Sequence, residues 1–321
     1  MKEKLKLKIV LAKPRGFCAG VERAIEIVEK ALIQYGPPVY VRHEIVHNRR
    51  VIENLKSKGA VFVESLDEIP QNSVTIFSAH GVSKLVEDSA LVRKLQVIDA
   101  TCPLVKKVHI EGRRAVKSES EVILIGHEGH PEVEGTMGQI PGKVYLVSSK
   151  EDIEYINPKN QKKLAYITQT TLSVDDTREI ISALKIKFPL IKGQDIKDIC
   201  YATQNRQTAV RSLAEKSDIV LVIGSKNSSN SNRLVEIASS CGSISYLIED
   251  SSSVDLSWFR GRNTIGITAG ASAPEELIDE IVNFLQSTFE VELYEDNLIE
   301  ENVSFRLPNV LNNTKEEKTI N

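Results

Sequence analysis

The chain reads as an α/β protein of three pseudo-threefold-related parallel units around a common centre, and three observations predict it. A cysteine recurs at three strand-to-helix junctions, Cys18, Cys102 and Cys200, with separations of 84 and 98 residues. A second strand pattern ends 25 residues after each of them, at His43, His127 and Ser225. Third and fourth strand patterns then follow in the same order in every unit. Strands alternating with helices imply parallel sheets flanked by helices, whose ligands gather at the carboxyl ends of the strands. The three units are therefore expected to aim those ends at one common centre.

The first unit, residues 1–101, opens with the apolar run Ile9–Ala12 and a Pro14-Arg15-Gly16 turn, then Cys18 at the start of an amphipathic helix. The lead-in LQVIDAT and Pro103, a residue suited to a first helical turn, place Cys102 the same way in the second unit, residues 102–199. IKDI precedes Cys200, which opens the third unit, residues 200–287. The second strands are PVYVRH, EVILIGH and DIVLVIGS, followed by the polar segments HEIVHNRR, HEGHPEVEG and SKNSSNSNR. The third are VFVES, VYLVSS and SYLIEDS; the fourth are SVTIFSAHGVS, KLAYITQTTLSVDD and NTIGITAGASAPEE. A lead-in strand can pair within its own unit or with the preceding one. From Thr288 the pattern lapses, so residues 288–321 are expected to form an extended segment packing back, with a frayed Lys/Glu-rich end after Asn312.

Composition narrows the function classes. In 321 residues, 41% hydrophobic and 26% charged side chains suit a soluble globular protein, and a net charge of −3 argues against a general nucleic-acid binder. No run approaches a membrane span, and the basic start MKEKLKLKIV is too short in apolar residues for a signal peptide. Four cysteines in so long a chain do not make a secreted disulfide scaffold, so the expected compartment is the reducing cytoplasm.

Backbone N–H groups and the helix dipole at a helix start favour a thiolate. Three such cysteines could be small core residues or part of a zinc site, but a threefold set suits an iron–sulfur cube with one iron left open. Cys241, without a counterpart in the other units, reads as structural. Of six histidines, His47, His80 and His130 follow strands whose ends should converge, which makes an anion site. Ser228, Ser229, Asn230 and Ser272 add hydroxyl, amide and helix-start donors; alternatively SKNSSNSN is only a polar capping loop. His43, His109 and His127 read as structural. Glu132 is the candidate proton donor, with Glu134 competing. Thr170 and Thr171 could orient a hydroxyl, and Thr170 and Ser173 compete to cap the next helix. No Walker A, GxGxxG or HExxH pattern occurs.

The motifs PRGFCAGVERAI, DATCPLVKKVH, GHEGHPEVEGTMGQ, TQTTLSVDD, CYATQNRQ and GSKNSSNSNRL resemble those of the 4-hydroxy-3-methylbut-2-enyl diphosphate reductases, the terminal enzymes of the methylerythritol phosphate route to isoprenoids. The resemblance runs from Lys8 to Pro274 in order. It implies a monomer with one 4Fe–4S cluster on Cys18, Cys102 and Cys200, and a diphosphate held by His47, His80, His130, Ser228, Ser229, Asn230 and Ser272. It further implies Thr170 on the substrate hydroxyl, proton delivery by Glu132 with His130 or Thr170, isopentenyl and dimethylallyl diphosphate as products, and a ferredoxin or flavodoxin as electron donor. Quinolinate synthase and the diphthamide-forming enzymes also look like threefold three-cysteine proteins, with much poorer motif agreement. An iron–sulfur sensor is the non-enzymatic alternative.

Overall fold

The computed structural model describes residues 5–311; the expected frayed end after Asn312 lies outside them. In chain order the elements are β1 (Lys6–Lys13), α1 (Ala19–Tyr35), β2 (Val39–Arg42), α2 (Arg49–Ser57), β3 (Ala60–Val63), β4 (Val74–Phe77), α3 (Lys84–Val92) and β5 (Gln96–Asp99). There follow α4 (Pro103–Lys117), β6 (Glu121–Ile125), α5 (Pro131–Gln139), β7 (Val144–Val147), β8 (Leu164–Thr168) and α6 (Val174–Lys187). The remainder is α7 (Tyr201–Glu215), β9 (Ile219–Ile223), α8 (Ser229–Ser240), β10 (Ile244–Ile248), β11 (Thr264–Ala269), α9 (Glu275–Thr288) and β12 (Glu290–Asn297). Three sheets result, ordered β3-β2-β4-β5, β7-β6-β8 and β10-β9-β11-β1-β12, and every strand pair in them is parallel. The chain is thus the α/β protein of three parallel sheets that the repeat predicts.

Residue contacts group the described residues into two compact units: residues 5–18, 47–49 and 201–303 in one, and residues 19–46, 50–200 and 304–311 in the other. The first is built on the five-stranded sheet. Strand period 2 sorts its apolar residues to two faces. Leu7, Ile9 and Leu11 of β1 and Ile219, Leu221 and Ile223 of β9 pack with Leu277, Ile281 and Leu285 of α9. Val10 and Ala12, with Val220 and Val222, pack on the opposite face with Val210 and Leu213 of α7 and Leu234 and Ile237 of α8. A strand buried on both faces must read as a near-continuous apolar run, which is why IVLVI is so plain in the sequence.

Sequence periodicity does not show β12. Its residues EVELYEDN are mostly exposed, yet they pair with β1 in parallel from Lys6↔Glu290 to Lys13↔Asn297. A charged edge strand carries little apolar signal and blunts the open edge against further pairing. β1 therefore lies between β11 and β12, in the sheet of the residues that follow Cys200.

The second unit holds the other two sheets. Ile123 and Ile125 of β6 pack with Ile180, Ile181 and Leu184 of α6, while Val122 and Leu124 face Val108 of α4 and Val133 of α5. β5, the lead-in to Cys102, pairs with β4. The lead-in to Cys200 makes no strand; one isolated bridge joins Ala165 and Lys192 there.

Candidate functional site

The three junction cysteines have equivalent surroundings. Each is half-buried, none forms a disulfide, and each stands one residue before a helix. The Cys18 N–H donates to the carbonyl of Ala271 at 3.1 Å, that of Cys102 to Ala79 at 3.0 Å and that of Cys200 to Thr170 at 3.1 Å. Each acceptor lies two residues past the end of a fourth strand, β11, β4 or β8. The repeat read in the sequence is thus repeated in backbone hydrogen bonding. Among the described residues no group of three or more His, Cys, Asp and Glu side chains gathers closely enough to hold a single metal ion. The donor set itself, thiols at helix starts outside any disulfide, suits a cluster whose irons each take one thiolate. Cys241 ends α8 and packs against the apolar core, as a structural cysteine does.

In the first unit the turn before Cys18 is held by Arg15, which donates to Glu275 at 2.7 Å, Glu295 at 3.1 Å and the Ala12 carbonyl at 3.0 Å. The donors beyond β9 and β11 assemble around the start of α8. Ser228 caps this helix, its Oγ accepting from the Ser231 N–H at 3.3 Å and from the Ser231 hydroxyl at 3.0 Å. Gly224 and Gly270, at the strand ends, let the helix start sit directly on the sheet: a Cβ at either would come within 2.2 or 2.0 Å of the Ser231 Oγ. His47 joins the group. Ser272 Oγ donates to its carbonyl at 2.9 Å, and its Nδ1 lies 3.4 Å from the Asn227 amide nitrogen. Asn230 is 4% exposed, and neither end of its side-chain amide has a hydrogen-bond partner in the structure. An unpaired buried amide costs about 1–3 kcal/mol, so it marks a place for a polar ligand.

In the second unit His130 caps α5, its Nδ1 accepting from the Glu132 N–H at 3.1 Å. That bond places the ring proton of a neutral His130 on Nε2. The His80 ring meets the His130 ring edge to face with centroids 5.9 Å apart, and its Nδ1 lies 3.3 Å from Ser78 Oγ. Glu132 is 3% exposed, whereas Glu134 is exposed; burial thus separates the two competing carboxyls. Burial pushes Glu132 up to about 7 against the pull of two bonds from Thr170. The Thr170 N–H donates to Oε1 at 2.7 Å and its hydroxyl to Oε2 at 2.9 Å. Ser173, not Thr170, caps α6, accepting from Asp176 N–H at 3.1 Å. His43 pairs with Glu64. His109 is buried, and burial with the nearby Arg113 charge lowers it to about 4. It lines a cavity of about 590 Å³ with Thr101, Lys106, Arg113 and Gln139.

A family model described as LytB protein matches residues 9–286. The chain belongs to the LytB family. Within the family it is 57% identical over 309 residues to the 4-hydroxy-3-methylbut-2-enyl diphosphate reductase of Zymomonas mobilis, covering 96% of this chain and 91% of that protein. It is also 57% identical over 302 residues to 4-hydroxy-3-methylbut-2-enyl diphosphate reductase 2 of Bradyrhizobium diazoefficiens, covering 94% and 98%. The solved E-1-hydroxy-2-methyl-but-2-enyl-4-diphosphate reductase of Plasmodium falciparum superposes with a TM-score of 0.90 at 38% identity, over 97% of both chains.

Sequence reading of this LytB chain overlooks several polar side chains that hold the cysteine turns. Arg206 is fully buried and donates to the Gly16 carbonyl at 2.8 Å and the Phe17 carbonyl at 3.1 Å, with Glu301 at 3.0 Å as its counter-charge. Arg23 and Lys107 act comparably. A basic residue five or six positions after each cysteine is the signal that aligning the three repeats would have shown. No helix among the described residues is long and apolar enough to cross a membrane.

Proposed function

We propose that this chain removes the hydroxyl group of 4-hydroxy-3-methylbut-2-enyl diphosphate reductively, giving isopentenyl and dimethylallyl diphosphate. The reading is supported first by 57% identity along nearly the whole chain to enzymes named for that substrate. The observation that carries the chemistry is the buried Glu132–Thr170 pair, a carboxyl held near neutrality beside a hydroxyl. The overall change breaks one allylic C–O bond and consumes two electrons and two protons, one proton leaving with the hydroxyl as water and one ending on carbon.

Cys18, Cys102 and Cys200 would hold one 4Fe–4S cluster, which supplies the electrons singly and offers an open iron as a Lewis acid. His47, His80, His130, Ser228, Ser229, Asn230 and Ser272 bind the diphosphate oxygens. Hydroxyl, amide and imidazole N–H groups near a helix start are suited to that anion. The buried Asn230 amide gains its partner only when the substrate is bound. Thr170 orients the substrate hydroxyl, and Glu132 holds the proton that the leaving hydroxyl takes, with His130 and Thr170 as its neighbours on the path. A carboxyl whose pKa lies near 7 is half protonated at neutral pH, the condition under which a general acid works best. The protein is proposed to act as a monomer in the cytoplasm, with ferredoxin or flavodoxin as electron donor.

The test is anaerobic turnover of the hydroxylated allylic diphosphate by the iron-loaded protein with a chemical reductant. Both five-carbon diphosphates are the expected products. An iron-loaded preparation that binds the diphosphate but leaves the hydroxyl in place would overturn the reductase reading.

A further inference from the structure

Helices α1, α4 and α7 each begin one residue after a junction cysteine, and each carries a basic residue five or six positions beyond that cysteine: Arg23, Lys107 and Arg206. Arg206 Nη1 donates at 3.0 Å to the Ala202 carbonyl in the first turn of its own helix, but the other bonds reach the turn before a different cysteine. Arg23 Nη1 donates to the carbonyls of Ala100 and Thr101 at 3.2 and 3.3 Å, the two residues before Cys102. Lys107 Nζ donates to the Lys197 carbonyl at 3.2 Å and stands 3.5 Å from the Asp198 carboxylate, three and two residues before Cys200. Arg206 donates to the carbonyls of Gly16 and Phe17, the two residues before Cys18, at distances between 2.8 and 3.1 Å. The relation closes on itself: the helix begun at Cys18 serves Cys102, the one begun at Cys102 serves Cys200, and the one begun at Cys200 serves Cys18.

These carbonyls belong to the turn between a strand and a helix, where the chain has left one ladder and not entered the next. A guanidinium satisfies several of them at once and, being a planar fork, fixes their orientation as well as their position. Burial shows how closely the fork is packed: Arg206 is 0% and Arg23 7% exposed. Each cation has a further anchor. Glu301 lies 3.0 Å from Arg206, the Arg306 carbonyl accepts from Arg23 Nε at 2.8 Å, and Asp198 serves Lys107. Asp198 in turn accepts from the Thr168 N–H at 3.3 Å at the end of β8, where Gly16 and Ala100 use their own N–H groups on the ends of β11 and β4.

We propose that Arg23, Lys107 and Arg206 are positioning residues that fix, in cyclic order, the backbone of the cysteine next in the cycle. The placement of each thiolate then depends on the helix begun by the cysteine before it. The proposal rests on the reading of the three cysteines as ligands of one cluster, but its test does not need iron to be present.

The full-length protein and its R23K, K107M and R206K variants are treated anaerobically with a ferrous-iron chelator and iodoacetamide, and alkylation of each cysteine is followed by peptide mass spectrometry. Lysine keeps the charge of arginine but cannot reproduce its fork. The expected result is alkylation faster by about fivefold or more at Cys102 in R23K, at Cys200 in K107M and at Cys18 in R206K, the change that a shift of roughly one hydrogen bond in local ordering produces. The other two cysteines stay near the parent rate, as all three do in R178M, which alters an exposed ion pair on α6. If R206K does not fold, E301Q removes the counter-charge of Arg206, and faster alkylation confined to Cys18 is expected there. Acceleration at the cysteine that begins the substituted helix, at all three alike, or at none would overturn the proposal. Iron assayed in the parent before the chelator is added separates this result from the ligand reading: a parent without iron there removes the ligands' role and leaves the labelling pattern to be judged alone.

Discussion

Replacing Glu132 with glutamine keeps the shape of the site and removes one proton. The amide oxygen of Gln can accept the Thr170 N–H that Oε1 accepts at 2.7 Å, and its NH₂ can donate to the Thr170 hydroxyl now 2.9 Å from Oε2. In the parent protein burial moves the carboxyl from 4.5 to about 7, so the folded chain favours the protonated form over the unfolded chain by about 3 kcal/mol. Between those two values the folded state binds more protons than the unfolded state. Stability contributed by this group therefore falls as pH rises from about 4.5 through about 7, and is level on either side. Glu132→Gln has no such titration. Its unfolding free energy relative to the parent, measured by urea denaturation with both proteins at equal iron loading, should rise by about 3 kcal/mol between pH 4.5 and 8. Diphosphate affinity should hold, while turnover falls by about 10²–10⁴, the usual worth of a positioned general acid. Near-normal turnover would remove Glu132 from proton delivery, and a stability difference that ignores pH would remove the shifted carboxyl.

Other perturbations separate the remaining roles. Cys18→Ser, Cys102→Ser and Cys200→Ser should each lose most of the protein-bound iron while Cys241→Ser retains it; any of the first three with parental iron per chain is not a ligand. Asn230→Ala should raise KM for the diphosphate by about tenfold or more yet cost less than about 0.5 kcal/mol in thermal stability, because the amide it removes has no partner to lose. A cost of several kcal/mol would show that Asn230 is structural. Gly270→Ala places a methyl within 2.0 Å of the Ser231 Oγ and should lower stability by about 1–3 kcal/mol and weaken diphosphate binding together. An unchanged Tm would show that α8 need not sit so close to β11.

The apolar strands could be read from the sequence because burial on both faces makes them near-continuous apolar runs, and the cysteine periodicity because it recurs in every unit. Ser173 and Thr170 show where that reading stops. Both can cap α6, and only the packing of α5 beside β8, which brings Glu132 to Thr170, assigns the cap to Ser173. Glu132 and Glu134 likewise differ by two positions on one helix and are equivalent until burial separates them. β12 is hidden for the opposite reason: its order comes from backbone pairing with β1, and its side chains are those of an exposed charged edge. Arg23 and Arg206 look like surface cations on amphipathic helices, since nothing local reveals that their partners lie 77 and 190 residues away.

The polar groups buried in this fold fall into two kinds, and the difference bears on what each is for. Arg206 has its partners close by, with three carbonyls and a carboxylate around one guanidinium. Removing a partner from so complete a set leaves a buried charge unpaired, which costs about 3–5 kcal/mol, so the set stabilises the turn it holds. Asn230 and the protonated Glu132 are the reverse: one lacks partners and the other is held away from its preferred ionisation by desolvation. Groups of that kind weaken the fold in which they sit, and they persist where a ligand or a reaction uses the imbalance. If Asn230 gained partners by rotating within the free protein, the same argument would class it with Arg206. Its KM effect would then vanish while its stability cost appeared, so the two measurements on Asn230→Ala decide the matter jointly.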